Sequence, residues 1–391
     1  IPYKPAEADG MMAVALGQLS AGDTNDSTKS LAAAATAALE GKRDDVFALA
    51  ALMSAISSAE GGKDEVARTW LALAEATAPR LQGDALLELR LLQAEGIVLS
   101  RGGDPRGAVA ANEKSLALAQ KLYGPDAGLL IATAEQQMAL ALVANQEYAK
   151  ARPHLEHALK LIEIAEGPEH VDVASSLGSL AQVYAHTGEL AKSRATFDRA
   201  IAIREKALGK NSPVLLPTLN NVAEMLRKHG DAAGALPYIE RGLAMAQRLG
   251  TTSSVYHTVL TTHAQVLAGL GRLADAREEL DQAVALEEQH HSSALTDTLV
   301  ARAEVELAAS KWADCTTFAQ RAVTIIEADK GKDAPALWEP LGMLGRADVA
   351  LGKLDDAKPL LERALAIARG VQTTEEELAP LTAALAAAQR R

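Results

Sequence analysis

The side chains most capable of chemistry in this sequence are a few histidines and one cysteine. His154 and His157 are three residues apart, a spacing that places two imidazoles on one helical face and suits a shared metal ion. No third ligand has a matching local spacing, so we interpret the pair as surface histidines on an exposed helix face. His290 and His291 are adjacent at the end of a predicted helix, where side chains diverge, and receive the same interpretation.

Cys315 is the single cysteine, so the chain cannot form an internal disulfide. It lies where the repeating pattern requires a small buried residue, and no local basic cluster would stabilise its thiolate. We therefore expect packing rather than nucleophilic chemistry. His229, His257 and His263 belong to neighbouring predicted hairpins, and they leave open an alternative function: an enzyme with a composite active site in a groove between helices.

The glycine-rich segments 61–64 and 102–107 do not form a phosphate-binding loop. They lack a preceding strand and the Lys-Ser or Lys-Thr pair that such a loop requires. The sequence also lacks a G-x-S-x-G elbow, a kinase catalytic loop and an H-E-x-x-H motif. We therefore predict a protein that is not an enzyme and that uses no cofactor and no metal.

The elements that position these residues are predicted to be helices. Aromatic residues make up only 3% of the chain and β-branched residues are sparse in most windows, so many strands are not expected. The formal charge of 39 − 51 = −12 argues against nucleic acid and against anionic membrane surfaces as main partners. No apolar run reaches eighteen residues, so we predict no direct membrane insertion of this segment.

A small residue followed by an apolar one recurs along the chain at intervals of about 42 residues. The apolar members are Leu116, Leu159, Ile201, Leu243, Val284, Val323 and Leu365, separated by 43, 42, 42, 41, 39 and 42 residues. Such a period predicts a solenoid, in which each unit covers its apolar face with its neighbours. An array of this kind offers an extended concave surface, so the predicted function is to hold another molecule.

Residues 169–208 show the repeating unit most clearly. Leu180, Ala181 and Tyr184 lie at helical spacing, residues 187–189 interrupt the pattern, and a second apolar periodicity includes Phe197. The unit is therefore a helical hairpin. Less regular hairpins precede it, with helices predicted at residues 6–20, 27–39, 45–60, 65–78, 84–100 and 105–120.

These patterns predict an all-α fold, an α-α superhelix of about eight or nine helical hairpins. We divide the chain into irregular N-terminal hairpins at 1–103, a regular array at 104–370 and a C-terminal capping helix at 371–391. Whether the hairpin within residues 1–40 is ordered stays open at this point.

The segments 173–209 and 214–250 resemble tetratricopeptide (TPR) repeats of the 42-residue kinesin-light-chain type, and the resemblance covers roughly 104–370. It implies a non-catalytic scaffold that binds a peptide or protein partner in a concave groove. The order of irregular hairpins and then regular repeats also resembles the C-terminal regions of bacterial, myxobacterial-type serine/threonine kinases. That resemblance implies the regulatory or sensory part of a larger signalling protein. The start at residues 1–5 has neither an initiator Met nor a signal-peptide pattern, so we interpret it as the edge of a longer chain.

In TPR proteins the first helix of each hairpin lines the concave side, so the resemblance marks a groove face. On the helix around residue 180 this face carries Ser175, Gly178, Gln182 and Ala185. The implied partner-binding residues are Thr133, Gln136, Gln182, Asn220, Glu224, Arg227, Thr261, Gln265 and Arg346. Amide side chains at such positions can both donate to and accept from an extended peptide. The lysine of TPR carboxylate clamps is missing, so we do not expect that mode of binding.

Two further points stay open in the sequence. Exposed apolar end faces of a solenoid promote pairing, so a self-associating module, a homo-oligomer, is an alternative function. A cytoplasmic location is favoured, and an extracytoplasmic one stays open if the parent protein is anchored in a membrane.

Overall fold

The computed structural model describes residues 4–20, 24–81, 83–251, 253–290, 292, 294–370 and 373–389. These residues form nineteen α-helices and three short 3₁₀ turns, and no strand occurs among them. Eighteen of the helices pair in chain order as nine hairpins, and one helix follows. The predicted all-α fold of eight or nine helical hairpins is confirmed.

Each hairpin consists of a first and a second helix. In chain order the helices are α1 (Lys4–Ser20), α2 (Thr24–Glu40), α3 (Asp44–Glu60), α4 (Asp64–Thr77), α5 (Ala85–Arg101), α6 (Pro105–Tyr123), α7 (Gly128–Ala144), α8 (Tyr148–Glu166), α9 (Val171–His186), α10 (Leu190–Leu208), α11 (Leu216–Lys228), α12 (Ala232–Leu249), α13 (Ser254–Gly269), α14 (Leu273–His290), α15 (Leu295–Ala308), α16 (Trp312–Lys330), α17 (Trp338–Ala350), α18 (Leu354–Gly370) and α19 (Glu375–Ala388).

In the eight hairpin turns that the structure describes, from the α3–α4 turn onward, one residue lies in the left-handed region. Gly188, between α9 and α10, has φ of 80°, which glycine adopts without steric cost. At the same place between α7 and α8, Gln146 has φ of 61°. The turn is therefore imposed by the packing of the two helices, and glycine is favoured there but not obligatory.

The helices divide into two compact units, Ile1–Ile203 and Arg204–Arg391, with the boundary inside α10. In unit 1 the first helices follow one another in contact from α1 through α3 and α5 to α7. Ala181 and Phe197 are fully buried, and the buried Ser193 hydroxyl donates to the Ala181 carbonyl at 2.7 Å. α9 and α10 therefore approach each other closely at Ala181.

In unit 2 the first helices α11, α13, α15 and α17 form a similar contacting series, and α19 packs on α17 and α18. Leu381 of α19 packs closely against Gly342 of α17. A Cβ atom added to Gly342 would lie 3.0 Å from the Cδ2 atom of Leu381. Thr374 and Glu377 form a capping box at the start of α19. The domain boundaries at 103 and 371 stay predictions.

Second helices are joined by a recurring Arg–Glu pair. In unit 1, Arg199 of α10 donates to Glu163 of α8 at 2.6 Å, 36 residues earlier. In unit 2 the same 36-residue separation joins Arg241 to Glu205 and Arg363 to Glu327. These pairs lie near the surface and each contributes no more than about 1 kcal/mol, so their main effect is to fix the stacking register.

The N-terminal helices begin earlier than the sequence pattern predicts. α1 starts at Lys4 instead of residue 6, and α2 starts at Thr24 instead of residue 27. Pro5 is compatible with the first turn of α1 because the N–H that proline lacks has no helical partner there. The predicted hairpin within residues 1–40 is therefore present in the described residues. None of the described helices is both long and apolar enough to cross a membrane.

Candidate functional site

A polar face of α11 is the starting point of the candidate site. Asn220, Glu224 and Arg227 are four and three residues apart, so they share one face of this helix. Other faces are anchored by the buried side chains of Leu219, Val222, Ala223 and Leu226. Because this packing fixes the rotation of α11, the three polar side chains are held on the series of first helices.

Arg227 joins α11 to helices farther along the chain. Its Nε and Nη2 atoms donate to Oε2 and Oε1 of Glu224, each at 3.0 Å. Its Nη1 atom lies 3.7 Å from Glu304 Oε1 on α15, and Lys228 Nζ lies 3.2 Å from Glu224 Oε1. Gln265 of α13, the helix between them, donates from Nε2 to Glu304 Oε2 at 3.3 Å. Three first helices thus share one polar network.

Glu339 of α17 lies close enough to this network to interact with its charged side chains. Its charge and those of Arg227, Lys228 and Glu304 affect one another, yet within the described part of the chain it has no hydrogen-bond or ion-pair partner. We call Glu224, Arg227, Lys228, Gln265, Glu304 and Glu339 the charge cluster. It contains three carboxylates and two cations, so one negative charge is unmatched.

The pKa values of Glu224 and Glu339, on the first and last helices of the cluster, are shifted in opposite directions. Burial alone would raise the pKa of Glu224, but the hydrogen bond from Arg227 and the charges of Arg227 and Lys228 bring it below its ordinary value. The pKa of Glu339 is raised, first by burial among the surrounding helices and also by the charge of Glu304. Glu339 is nevertheless an exposed residue, so the raised pKa belongs to a carboxylate that lies beside that of Glu304 and has no hydrogen-bonded cation of its own.

Asn220 lowers the stability of the fold and has no evident structural role in return. Its Oδ1 atom is enclosed and has no hydrogen-bond partner in the described structure. An enclosed acceptor without a partner costs about 1–3 kcal/mol, and Asn is also a poor residue for the middle of a helix.

Not all of the predicted groove residues of unit 2 are accessible. Thr261 is buried, and its hydroxyl forms a 3.0 Å hydrogen bond with that of Thr298, so it belongs to the packing between α13 and α15. Arg346 is half-buried and lies seven residues after Glu339, on the same face of α17. Asn220, Glu224, Arg227, Gln265 and Arg346 therefore stay candidates, and Thr261 does not.

The other three predicted residues lie in unit 1. Thr133 and Gln182 are exposed, and Thr133 donates to the Leu129 carbonyl at 2.9 Å. Gln136 is half-buried and donates to the Ser176 hydroxyl at 2.7 Å, which joins α7 to α9. On the face predicted for α9, Ser175 and Gln182 are exposed and a Cβ at Gly178 would meet open space, but Ala185 is buried, contrary to the prediction.

Sequence reasoning missed Lys228, Glu304 and Glu339. A signal for Glu304 was present: it follows Gln265 by 39 residues, the same separation as the repeat positions Val284 and Val323. Glu339 follows Glu304 by 35 residues and has no such signal, because it lies in the first turn of a helix that begins after a 3₁₀ turn.

Comparison with known families decides the identity of the repeats. The tetratricopeptide repeat family matches residues 129–206, 172–248 and 294–370, just over half of the chain. The chain belongs to the tetratricopeptide repeat family. The match confirms the resemblance to TPR repeats that the segments 173–209 and 214–250 show in the sequence of this TPR protein. No curated protein matches it in sequence.

Solved structures of similar fold include the apo form of the quorum sensor NprR from B. thuringiensis. The two chains are 14% identical with a TM-score of 0.63, and the match covers 92% of this TPR protein and 98% of NprR. A Rap protein in complex with Competence and Sporulation Factor is 16% identical with a TM-score of 0.54, covering 88% and 99% of the two chains. A kinesin light chain of Podosopora anserina with nearly identical TPR-like repeats is 20% identical, covers 52% and 96%, and has a TM-score of 0.47. At these identities the first two likenesses show the fold.

The two closely spaced histidines of this TPR protein are not simple surface residues, contrary to the prediction. His154 Nδ1 lies 2.5 Å from Glu135 Oε2, and His157 Nδ1 lies 2.9 Å from Glu135 Oε1. Glu135 is buried on α7, so the pair shares a carboxylate between α7 and α8. No group of three or more metal-binding side chains occurs within the described ranges.

The remaining residues considered for chemistry are each engaged in packing or in separate hydrogen bonds. Cys315 is fully buried, and burial raises the pKa of its thiol to about 11. His229 and His257 bond the backbone carbonyls of Met225 and Thr251, at 2.8 and 3.0 Å. His263 Nδ1 lies 2.7 Å from Glu279 Oε2. The His290 ring stacks with that of His257, with ring centroids 6.1 Å apart. His291 lies outside the described residues. These contacts do not bring His229, His257 and His263 into one site.

Proposed function

We propose that unit 2 binds an extended segment of a protein partner along its first helices, and that the charge cluster selects a Lys or Arg side chain in that segment. The observation that carries this proposal is the unmatched carboxylate of Glu339. A partner cation beside Glu339 and Glu304 would balance the charge of the cluster and would lower the pKa of Glu339, opposing the rise that burial and the charge of Glu304 cause.

The arrangement of the polar groups supports an extended ligand. Asn220 and Gln265 supply amide groups on α11 and α13, and Glu304 and Glu339 follow on α15 and α17. A row of polar groups on parallel helices can be contacted one after another by a single stretched chain. The Rap protein of similar fold is found in complex with Competence and Sporulation Factor, which supports the use of such a fold to hold a partner.

The proposed role is non-catalytic. The histidines considered for a composite site each bond a different group, so they supply no shared reaction centre among the described residues. A regulatory or sensory role in a bacterial signalling protein, including the kinase context implied by the resemblance, stays a prediction, as do the homo-oligomer and the compartment.

The test uses an array of extended octapeptides whose central residue is Lys, Arg, Glu or norleucine. Binding is measured by fluorescence anisotropy with the wild-type chain, with Glu339→Gln and with Glu362→Gln, a matched control at an exposed glutamate on α18. We expect basic peptides to bind best, and Glu339→Gln to weaken them about tenfold, or ~1.4 kcal/mol. The Glu362→Gln control is expected to bind as the wild type does.

Two results would contradict the proposal: equal binding of the Lys and Glu peptides, or equal losses in the two variants. Because Glu339 has no partner in the described structure, both variants are expected to retain the wild-type unfolding midpoint in urea.

A further inference from the structure

A recessed surface lies in unit 1, on the first helices of the first three hairpins. It is a cavity of about 350 Å³ between α1, α3 and α5, and Leu81 of the 3₁₀ turn after α4 also lines it. Its apolar lining consists mainly of Met12, Leu16, Val46, Leu49, Leu86 and Leu87. Small-molecule and peptide-anchor sites begin at about 300 Å³, so the cavity has room for one bulky side chain.

The lining leaves apolar surface in contact with water. Leu16 is 41% exposed and Leu86 is 42% exposed, and both face the same cavity from helices that are not adjacent in sequence. Scattered exposed leucines are ordinary, but leucines that converge on one cavity form an uncovered apolar patch.

The rim of this cavity is acidic. Asp9, Asp45 and Asp84 lie around the apolar lining, one from each of the three hairpins. Arg43 bridges two of them, with Nη1 2.9 Å from Asp9 Oδ2 and Nη2 2.8 Å from Asp45 Oδ2. Arg90 is the other cation at the rim, so three carboxylates face two guanidinium groups.

The surrounding sequence has the same sign of charge. Residues 1–100 contain 8 Lys and Arg and 14 Asp and Glu, giving 8 − 14 = −6, half of the net charge of the whole chain. A partner segment that covers the apolar lining must cross this acidic surface, and basic flanks would be attracted to it.

We propose that this cavity is a second docking site, for a partner segment that inserts one bulky apolar side chain flanked by basic residues. Met12, Leu16 and Leu86 cover the apolar side chain, and the carboxylates of Asp9, Asp45 and Asp84 face its basic neighbours. This site lies wholly in unit 1 and does not depend on the charge cluster of unit 2.

Ala13 allows a direct test, because it lines the cavity and is itself exposed. Ala13→Trp fills the cavity with little burden on folding, and Val14→Trp is the matched control, since Val14 is 54% exposed and does not line the cavity. The probe is a fluorescein-labelled nonapeptide with a central Leu-Phe pair between two lysines on each side. Companion peptides carry glutamates in place of the lysines, or serines in place of Leu-Phe.

We expect the basic apolar peptide to bind the wild-type chain and the Val14→Trp control equally, and Ala13→Trp at least tenfold more weakly. Raising the salt from 50 to 500 mM is expected to weaken binding, and both companion peptides are expected to lose it. Glu339→Gln is expected to leave it unchanged, which separates this site from the one proposed in unit 2.

The proposal is overturned if the wild-type chain shows no saturable binding of the basic apolar peptide, or if Ala13→Trp and Val14→Trp bind it alike. Equal binding of the glutamate peptide overturns the role of the rim. A wild-type dimer in light scattering that becomes monomeric in Ala13→Trp would show that a second copy of the chain covers the cavity instead.

Discussion

The buried carboxylate of Glu306 gives the sharpest stability prediction. Its side chain is 1% exposed and accepts hydrogen bonds from Nε and Nη2 of Arg277 at 2.8 and 2.9 Å. Arg302, also buried, donates to the same carboxylate, and its Nε donates to Asp281 at 2.8 Å. The Arg302 guanidinium carbon lies 4.8 Å from the ring centroid of Phe318. Glu306 therefore binds two guanidinium groups between α14 and α15, and together with Asp281 it balances their charge.

Glu306→Ala removes this carboxylate and leaves Arg302 enclosed with one partner, the largely exposed Asp281. Breaking a buried ion pair by removing one member costs about 3–5 kcal/mol, because the remaining charge is neither hydrated nor matched. Glu304→Ala is the matched control on the same helix. Glu304 is 46% exposed and its contact with Arg227 is 3.7 Å long, so that change is expected to cost less than about 1 kcal/mol.

The assay must resolve local as well as global unfolding, because repeat arrays do not always unfold in two states. Urea denaturation gives the shift in midpoint, and amide hydrogen exchange gives the protection of each helix. Glu306→Ala is expected to lower the midpoint and to speed exchange in α14 and α15, while Glu304→Ala does neither. Equal midpoint shifts in the two variants, or a loss below about 1 kcal/mol in Glu306→Ala, would refute the reasoning from burial.

Two further predictions concern titratable groups. Burial acts to raise the pKa of Glu135, but hydrogen bonds from His154 and His157 reverse the effect and lower it below its usual 4.5. A lowered folded pKa contributes stability that is present above the unfolded value and is lost as the pH falls through the folded value. Glu135→Gln is therefore expected to cost about 1–3 kcal/mol in urea denaturation at pH 7 and less at pH 3, which is below the unfolded pKa. Equal losses at the two values would contradict it. Cys315, with a thiol pKa raised to about 11 by burial, is expected to react with iodoacetamide at pH 8 roughly 100-fold more slowly in the folded chain than in urea. Mass spectrometry of the alkylated chain measures both rates, and similar rates would show that the thiol is accessible.

Much of the fold could be predicted because its signals act over short distances in the sequence. The break at residues 187–189 is the turn between α9, which ends at His186, and α10, which begins at Leu190. Apolar spacing and a turn residue decide such bounds within one or two helical turns. The helix starts before residue 30 were less accurate, because small residues there give a weak apolar pattern.

The candidate site was predicted only where its members share a helix. Asn220, Glu224 and Arg227 follow from spacing on α11, whereas their partner Glu304 lies on another helix, about eighty residues farther along the chain. In the same way, His154 gave no sign of Glu135, nineteen residues away on the facing helix. The contacts of long side chains depend on the rotation of both helices, and local periodicity does not determine that rotation.

The shortest repeat shows how the fold keeps its register when its length changes. The gap between Val284 and Val323 is 39 residues, whereas three of the six gaps are 42 residues, a difference of three. The Arg–Glu pair that joins second helices spans 36 residues in three repeats, and its counterpart across the short repeat, Arg321 and Glu288, spans 33. The shortening by three is the same, so the missing residues lie between Glu288 and Arg321, where α15 has 14 residues and α9 and α13 have 16 each. Since Gln265 of α13 still bonds Glu304 of α15, the polar row of unit 2 is continuous through the shortest repeat.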